Sequence, residues 1–239
     1  MTRPWRILIG CETSGQMRRA FAARGHDVWS CDLLPADDQT NRHIIGDVRD
    51  VLKDGWDMLA VMHPPCTRLC NSGVRWLTEP PGKLTQTYPA AIRLAYAGWN
   101  RAQRLAFMWE ELDKAADLFA ACWNAPIARV AVENPVMHRH AKSRIQNYAP
   151  PAQTVQPWWF GEPAFKATSF FLRGLPPLVP TNRLTPPKKK QEPERHAAWS
   201  RIHRASPGPE RWKIRSATFP GIAQACADQW SPMAEDMAA

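Results

Sequence analysis

The chain has little that would direct it to a membrane or across one. No apolar stretch in its 239 residues approaches the roughly 20 residues that a membrane-spanning helix needs. The first ten residues, MTRPWRILIG, show no signal-peptide pattern. We therefore expect a soluble, cytoplasmic protein that does not act at a membrane.

The chain also lacks the cysteine spacing that is typical of small secreted domains stabilised by disulfide bonds. The six cysteines are scattered along the chain, which favours a reducing compartment. They are Cys11, Cys31, Cys66, Cys70, Cys122 and Cys226. Cys66 and Cys70 have no convincing second pair for zinc, because His138 and His140 match known ligand spacings poorly. The sequence predicts no metal site.

Glycine is scarce beside proline, and acidic residues are fewer than basic ones. The chain has 12 glycines against 23 prolines, so we expect long rigid connections. Lys and Arg number 31 and Asp and Glu 22, a net charge of +9 that attracts polyanions such as nucleic acid. The 12 tryptophans could stack on bases or pack in the core. The length fits one domain with appendages.

The N-terminal pattern is that of a βαβ unit. Residues 7–9 are apolar, the run breaks at Gly10, and helical spacing of apolar residues begins after Gly15. HDVWSCD then resumes as a second strand, and further buried strands are predicted in MLAVMHP and in ARVAVENP. The pattern predicts an α/β fold with an open, Rossmann-like, mostly parallel sheet and helices on both faces. Such sheets bind ligands at the carboxyl ends of their strands.

A long helix is predicted over residues 101–123, and from Pro150 the chain becomes rich in proline. A strand is predicted at TSFFL, residues 168–172, and an extended, partly mobile arm after Pro176. Residues 216–230 predict a capped helix, and residues 231–239 a frayed tail.

Four polar features lie at the predicted strand ends: the turn GCETSG, Asp32, Cys66 and Glu133. Because the carboxyl ends of parallel strands meet at one edge of a sheet, these features predict a ligand site. GCETSG is not GxGxxG, so a tight turn is the alternative to a nucleotide-type site. Cys66 could be a nucleophile or a buried structural residue, and Glu133 an acid or a buried hydrogen-bonding residue.

Several motifs, in their order along the chain, resemble one family. They are ILIGCETSGQMRRAFAARGHDVWSCD, GDV at 46–48, PPC at 64–66, VENP at 132–135 and FGEPAFKATSFFL at 160–172. Together they resemble the S-adenosylmethionine-dependent DNA cytosine-5 methyltransferases, particularly short phage and prophage relatives. The resemblance implies a class I methyltransferase fold, the cofactor S-adenosylmethionine, DNA as substrate, and a bacterial cell in which the gene belongs to a phage or prophage.

The resemblance also implies which residues hold the cofactor. The turn after the first strand would hold its methionine part, Asp32 its ribose and Asp47 its adenine, although Asp47 could equally cap a turn at VRDVL. The implied set is Gly10, Glu12, Thr13, Ser14, Gly15, Asp32, Asp47 and Pro64.

Three catalytic residues follow from the same resemblance. Carbon 5 of cytosine is too weak a nucleophile to attack a methyl sulfonium, so a thiolate first adds to carbon 6 of the ring. Cys66 would be this nucleophile, and Glu133 the acid near ring nitrogen 3 that stabilises the resulting charge. Lys166 is the one cation that remains where the family has a Gln-x-Arg-x-Arg motif, and Thr168 stands at the position of its last arginine.

Contacts to DNA are expected from two basic segments. The loop of residues 67–86 would be a lid over a flipped base, with Arg75 and Lys83 as contacts. The phosphate contacts of the arm would be Arg183, Lys188, Lys189, Lys190 and Arg195. The arm is too short for a usual target-recognition domain, so we expect low or short sequence specificity.

The resulting prediction is a monomeric DNA cytosine-5 methyltransferase. Its catalytic domain would span residues 1–175, the arm residues 176–214, and a returning helix with the tail residues 215–239. One alternative is a related pyrimidine C5-modifying enzyme that acts on a free nucleotide or a modified base. Another is a catalytically silent, methyltransferase-like DNA-binding protein.

Overall fold

The computed structural model describes residues 3–206 and 211–233, without the side chains of residues 212–214. The chain forms two compact units, which we name the sheet unit and the helical unit. The sheet unit consists of Met1–Pro64, Ala121–Asn134 and Ala149–Ala239. The helical unit consists of Pro65–Ala120 and Pro135–Tyr148.

Seven strands and seven α-helices are found in the described residues. The strands are β1 (Arg6–Gly10), β2 (Asp27–Asp32), β3 (His43–Ile45), β4 (Met58–Val61), β5 (Arg129–Asn134), β6 (Gln153–Val155) and β7 (Thr168–Arg173). The helices are α1 (Gln16–Ala22), α2 (Ala90–Gly98), α3 (Arg101–Trp123), α4 (Arg139–Lys142), α5 (Pro193–Trp199), α6 (Arg211–Ser216) and α7 (Pro220–Trp230). None of these helices is long and apolar enough to cross a bilayer.

All seven strands belong to one sheet in the order β3-β2-β1-β4-β5-β7-β6. The pairs from β3 to β5 are parallel, β7 is antiparallel to β5, and β6 is antiparallel to β7. The predicted α/β fold with a mostly parallel sheet is thus confirmed, and its order is compatible with a Rossmann-like fold. The strand order reverses between β1 and β4, and doubly wound sheets bind ligands in the crevice beside such a switch point.

The core of the sheet unit includes one face of the sheet and the helices α1 and α7. Ile7 and Ile9 of β1 cluster with Met17 and Phe21 of α1 and with Trp230 of α7, and each is at most 3% exposed. Burying one large apolar side chain contributes about 1.5–3 kcal/mol. The cluster therefore fixes the strands whose carboxyl ends carry the polar residues.

Strand β4 ends earlier than the sequence pattern predicts. The strand stops at Val61, although the N–H of Met62 still donates to the carbonyl of Gly10 at 3.0 Å. Pro64 and Pro65 have no N–H for a further ladder bond. The prediction that Cys66 directly ends a strand is therefore wrong, since Cys66 lies beyond both prolines, in the helical unit.

The two outer strands are not predicted by the sequence pattern. β3 and β6 have three residues each. A segment of three residues is too short to display the alternation by which a strand is recognised.

The C-terminal helix also differs from its prediction. It begins at Pro220, four residues later than the predicted start at Ser216, and no side chain caps it. Proline suits the first position of a helix but disfavours helical geometry in the residue before it. Ser216 instead ends the separate helix α6. Of the predicted tail, residues 234–239 lie outside the described residues.

The long helix α3 is confirmed over its whole predicted length, Arg101–Trp123. Its predicted apolar face is buried at Met108, Leu112 and Phe119, each at most 1% exposed. On its solvent side, Lys114 pairs with Glu110 at 2.9 Å. The amphipathic spacing was therefore a sufficient signal for this element.

The arm after Pro176 is not wholly extended. Helix α5 lies within it, with Pro193 in the first turn. Before this helix, the N–H of Leu184 donates to the carbonyl of Trp158 at 2.8 Å, and Leu178 is only 4% exposed. These contacts hold the first part of the arm against the rest of the sheet unit.

Candidate active site

The turn between β1 and α1 is built around the carboxyl group of Glu12. This fully buried carboxylate accepts hydrogen bonds from the N–H of Met17 at 2.8 Å and from the hydroxyl of Ser14 at 3.1 Å. Burial raises the pKa of Glu12, and the backbone N–H groups of α1 act against this rise. Glu12 thus accepts hydrogen bonds from the first N–H groups of α1 and fixes the conformation of the turn.

Two glycines give this turn its shape. Gly15 has φ +66°, a left-handed conformation that residues with a Cβ rarely adopt. A Cβ on Gly10 would come within 2.9 Å of the Val48 side chain. The end of β1 therefore packs too closely against the 3-10 turn Val48–Val51 for a larger residue to fit there without a shift.

Asp32 lies at the carboxyl end of β2, next to the β1 turn. Its Oδ1 accepts a hydrogen bond from the N–H of Leu34 at 3.0 Å, and partial burial raises the pKa of its carboxyl group. The loop beyond it is tied to the β1 turn, because the N–H of Asp37 donates to the carbonyl of Thr13 at 2.9 Å. Glu12, Thr13, Gly15 and Asp32 thus lie around one end of the sheet, beside the switch point.

Asp47 has a structural role in its turn. Its side chain accepts a hydrogen bond from the N–H of Arg49 at 2.9 Å and also pairs with the Arg49 guanidinium. This partner lowers the pKa of Asp47. Of the two alternatives for this residue, the structure shows the cap of the turn at VRDVL.

Glu133 lies at the carboxyl end of β5, in a small pocket of the sheet unit. The residue is 6% exposed. Burial raises the pKa of Glu133 to about 7, and the charge of Lys166 acts in the opposite direction. The pocket is lined by Met62, His63, Glu133, Lys166, Thr168, Thr218, Phe219 and Ile222.

Two polar side chains of the pocket, Lys166 and His63, make hydrogen bonds that shape it. The ammonium group of Lys166 donates to the carbonyl oxygens of Ala217 at 3.2 Å and Ser216 at 3.4 Å. His63 Nε2 is hydrogen-bonded to Thr218 Oγ1 at 2.8 Å. Sequence reasoning assigned no role to His63 or Thr218. His63 is recognisable in the sequence as a polar residue at a strand end, whereas nothing in the local sequence marks Thr218.

The helical unit holds Cys66 at the start of one helical turn. Its carbonyl accepts hydrogen bonds from the N–H groups of Leu69 and Cys70, both at 3.0 Å. The Cys66 side chain hydrogen-bonds to the sulfur of Cys70, and this contact is the largest cause that lowers the pKa of Cys70 to about 5. Ser72 adds a second contact, with its Oγ 3.0 Å from the Cys70 sulfur. The two thiols therefore form a coupled pair.

The segment after this pair is tightly packed at Gly73. A Cβ there would lie 1.8 Å from the carbonyl oxygen of Thr67. The N–H of Asn71 donates to the carbonyl of Val136 at 3.2 Å within the same unit. Backbone contacts thus restrain the turn Asn71-Ser72-Gly73 on both sides.

The basic residues predicted to contact DNA are all exposed. Arg183 lies over the rings of Trp158 and Trp159, at 5.2 and 5.4 Å from their centroids. Arg195 is paired with Glu192 at 2.7 Å. The remaining predicted contacts are Arg75 and Lys83 in the helical unit and Lys188, Lys189 and Lys190 in the arm.

Within the described residues there is no group of three or more His, Cys, Asp or Glu side chains that could hold a metal ion. A scan against models of known protein families finds no match, and a search of curated proteins finds no similar sequence. What the chain does must therefore be argued from the chemistry of its own residues.

Proposed function

We propose that the protein is a DNA cytosine-5 methyltransferase with low or short sequence specificity that uses S-adenosylmethionine. The observation that carries the proposal is Glu133, a buried carboxyl group at the end of β5 whose pKa is raised to about 7. Perturbed titration in a pocket at strand ends is typical of functional sites. The resemblance of the sequence motifs supplies the reaction.

The residues at the ends of β1 and β2 suit the cofactor. The tight turn at Gly15 and the half-buried carboxyl group of Asp32 border the crevice in which Rossmann-like sheets bind nucleotides. Asp32 would accept hydrogen bonds from ribose hydroxyls, and the turn would hold the amino-acid part. When bound, S-adenosylmethionine supplies an electrophilic methyl group on its sulfonium.

Asp47 contributes less directly in this proposal. Its carboxylate is engaged by Arg49 and by the turn it caps. We therefore assign it the positioning of the 3-10 turn that packs against Gly10, rather than a contact with adenine.

Cys66 is assigned as the nucleophile. Its sulfur forms a bond to carbon 6 of the cytosine, and the electron pair of the 5,6 double bond moves toward carbon 5. The thiol proton of Cys66 has an acceptor in its hydrogen-bonded neighbour, the sulfur of Cys70. Transfer of the methyl group to carbon 5 would leave the cofactor as a neutral thioether. Loss of the carbon 5 proton to solvent water would then re-form the 5,6 double bond and break the bond between sulfur and carbon 6, and the released Cys66 thiolate would recover its proton from Cys70.

Glu133 is assigned as the acid at ring nitrogen 3. A carboxyl group with a pKa of about 7 is substantially protonated at neutral pH and can donate a proton or a hydrogen bond as Cys66 adds to the ring. Lys166 favours the carboxylate form of Glu133. It thereby keeps this acid from becoming too weak to give up its proton.

DNA as the substrate is supported by the charge of the chain and by its exposed basic residues. The chain has a net charge of +9, and the exposed arm lysines can neutralise phosphates. Arg183 is exposed and lies over two tryptophan rings, so its guanidinium is suited to a contact with a phosphate.

The proposal is tested by incubating the protein with DNA and S-adenosylmethionine and analysing the hydrolysed nucleosides by mass spectrometry. We expect 5-methylcytosine with the wild type and none with Cys66→Ser. Product from free deoxycytidine monophosphate, with none from DNA, would replace the proposal by the nucleotide-modifying alternative. Binding of cofactor and DNA without product would identify a silent DNA-binding protein.

A further inference from the structure

His63 and Thr218 form a side-chain contact in the pocket of Glu133 that the proposed reaction does not use. His63 lies two residues beyond β4, and its Nε2 is 2.8 Å from Oγ1 of Thr218. Thr218 is 7% exposed. The contact therefore joins the end of a central strand to a segment that is distant along the chain.

The segment that His63 contacts also holds Lys166. Ser216 and Ala217, which directly precede Thr218, accept hydrogen bonds from the Lys166 ammonium group through their carbonyl oxygens. The segment is non-helical from Ala217 to Phe219 and lies between helices α6 and α7. Pro220 restricts the segment on one side, and the bond from His63 restricts it in the middle.

We propose that His63 is a positioning residue: by its hydrogen bond to Thr218, it holds the segment whose carbonyl groups anchor Lys166 in the pocket of Glu133. In this role His63 acts on the acid through Thr218 and Lys166. The inference rests on the proposed role of Glu133, but the contact itself can be tested without any substrate.

The hydrogen bond between His63 and Thr218 affects the pKa of Glu133 through the charge of Lys166. Among the described residues, Lys166 is the charged group whose field acts on Glu133, and it lowers the pKa that burial raises. His63 is the other titratable group in the pocket. Burial and the charge of Lys166 hold the pKa of His63 well below its usual range, so His63 is neutral at neutral pH. If Lys166 is held less firmly, its field at Glu133 weakens and the pKa of Glu133 rises.

The experiment is a titration of the Glu133 carboxyl group by carbon NMR, with protein labelled at the glutamate side-chain carboxyl carbon. The signal of Glu133 is identified by its loss in Glu133→Gln. We expect His63→Ala and Thr218→Val each to move its midpoint to higher pH by roughly half a unit, a part of what a nearby opposite charge contributes. Lys166→Met should move it further in the same direction.

Three further variants separate this role from general loosening of the fold. Thr218→Ser keeps the hydroxyl group and should restore the wild-type midpoint. The double variant His63→Ala/Thr218→Val should shift the midpoint no more than either single variant, because both remove one contact. Thr154→Val loses a hydroxyl contact of the same 2.8 Å length, between Thr154 and Ser169 on β6 and β7, and should leave the midpoint unchanged.

An unchanged midpoint in both His63→Ala and Thr218→Val, with a raised one in Lys166→Met, would overturn the inference while the proposed function stands. A shift in Thr154→Val as large as in Thr218→Val would also overturn it. Absence of 5-methylcytosine with a midpoint that behaves as expected would reject the methyltransferase proposal and keep the positioning role of His63.

Discussion

Cys66 and Cys70 lie one helical turn apart, and the side chain of the first hydrogen-bonds to the sulfur of the second. The N–H of Cys70 donates to the carbonyl of Cys66 at 3.0 Å, which places both side chains on the same side of the turn. The contact between the sulfurs is the largest cause that lowers the pKa of Cys70 to about 5. The hydrogen bond therefore favours a thiolate that the pair shares.

The first prediction concerns this shared thiolate. Cys66→Ala removes the donor, so the pKa of Cys70 should rise and the thiolate absorbance near 240 nm should be lost at neutral pH. The measurement is the absorbance as a function of pH. The buried thiols do not interfere, because burial raises the pKa of Cys31 to about 11 and of Cys122 to about 12.

Ser72→Ala is the matched control for the thiolate measurement. It removes the weaker contact, the one between Ser72 Oγ and the Cys70 sulfur. Its effect should be in the same direction and smaller. A thiolate signal that survives in Cys66→Ala but not in Ser72→Ala would show that the contact with Ser72, and not that between the two thiols, stabilises the charge.

The second prediction separates the two thiols by chemistry. DNA that contains 5-fluorocytosine should trap the protein covalently, because fluorine on carbon 5 cannot leave as a proton in the elimination step. Cys66→Ser should abolish the adduct and Cys70→Ser should retain it, as measured by denaturing gel electrophoresis. Peptide mass spectrometry that locates the adduct on Cys70 would transfer the nucleophilic role to that residue, which the low pKa of Cys70 makes chemically competent.

The sequence predicts the elements of the fold better than it predicts the pocket. The reason is that the residues of the pocket are far apart along the chain, whereas each helix or strand is encoded by neighbouring residues. The helix α3 and the runs of β1, β2 and β5 carry their own period or apolar composition, which is local information. The contact between His63 and Thr218 joins residues 155 positions apart, and no local pattern encodes it. The pairing of Cys70 with Cys66 is hidden for another reason, since a single turn after two prolines has no helical period.

Asp32 and Asp47 illustrate the same limit within one proposed site. The resemblance implies that both are cofactor contacts, and for Asp47, which follows a glycine, the sequence leaves a turn cap as an equal alternative. The structure distinguishes them by their neighbours, because Asp47 is engaged by Arg49 two residues later. Spacing alone can show that an aspartate could cap a turn or bind a ligand, but it cannot show which of these two roles the side chain has.

The third prediction concerns the cofactor contact of Asp32. Asp32→Ala should weaken S-adenosylmethionine binding by about tenfold to a hundredfold, the range expected for hydrogen bonds to a charged group. Isothermal titration calorimetry measures the change. Asp54→Ala is the control, because Asp54 is exposed and precedes β4, at the opposite end of the sheet. Equal affinity in wild type and Asp32→Ala would remove Asp32 from the site.

The fourth prediction is a pH dependence of stability that comes from Glu133. Its native pKa of about 7 is above the unfolded value of about 4.3, so the native state binds the proton more tightly. The stability that this gives is present below the unfolded pKa and is lost as the pH rises through the native pKa. Glu133→Gln removes the effect, and relative to wild type it should gain about 3 kcal/mol between pH 4 and pH 9.

Urea unfolding of wild type and Glu133→Gln at a series of pH values measures this gain. Glu194→Gln is the control, because Glu194 is exposed and its carboxyl group is not desolvated by folding. A gain that is equal at pH 5 and pH 9 would mean that Glu133 is not held protonated by burial. The assignment of Glu133 as the acid would then lose its main support.

The fifth prediction tests whether the arm contacts phosphate. Lys188, Lys189 and Lys190 are exposed, and each lysine that neutralises a phosphate adds about 0.9 to the slope of log affinity against log salt concentration. Replacing all three with Ala should therefore reduce the slope by up to about 2.7, and equally for DNA of different sequences. Fluorescence anisotropy at several salt concentrations measures the slope.

Lys53→Ala, which removes an exposed charge outside the arm, should change the slope by less per charge removed. A slope unchanged in the triple variant would show that these lysines face solvent in the complex, and Arg183, over its two tryptophan rings, would be the next arm residue to test.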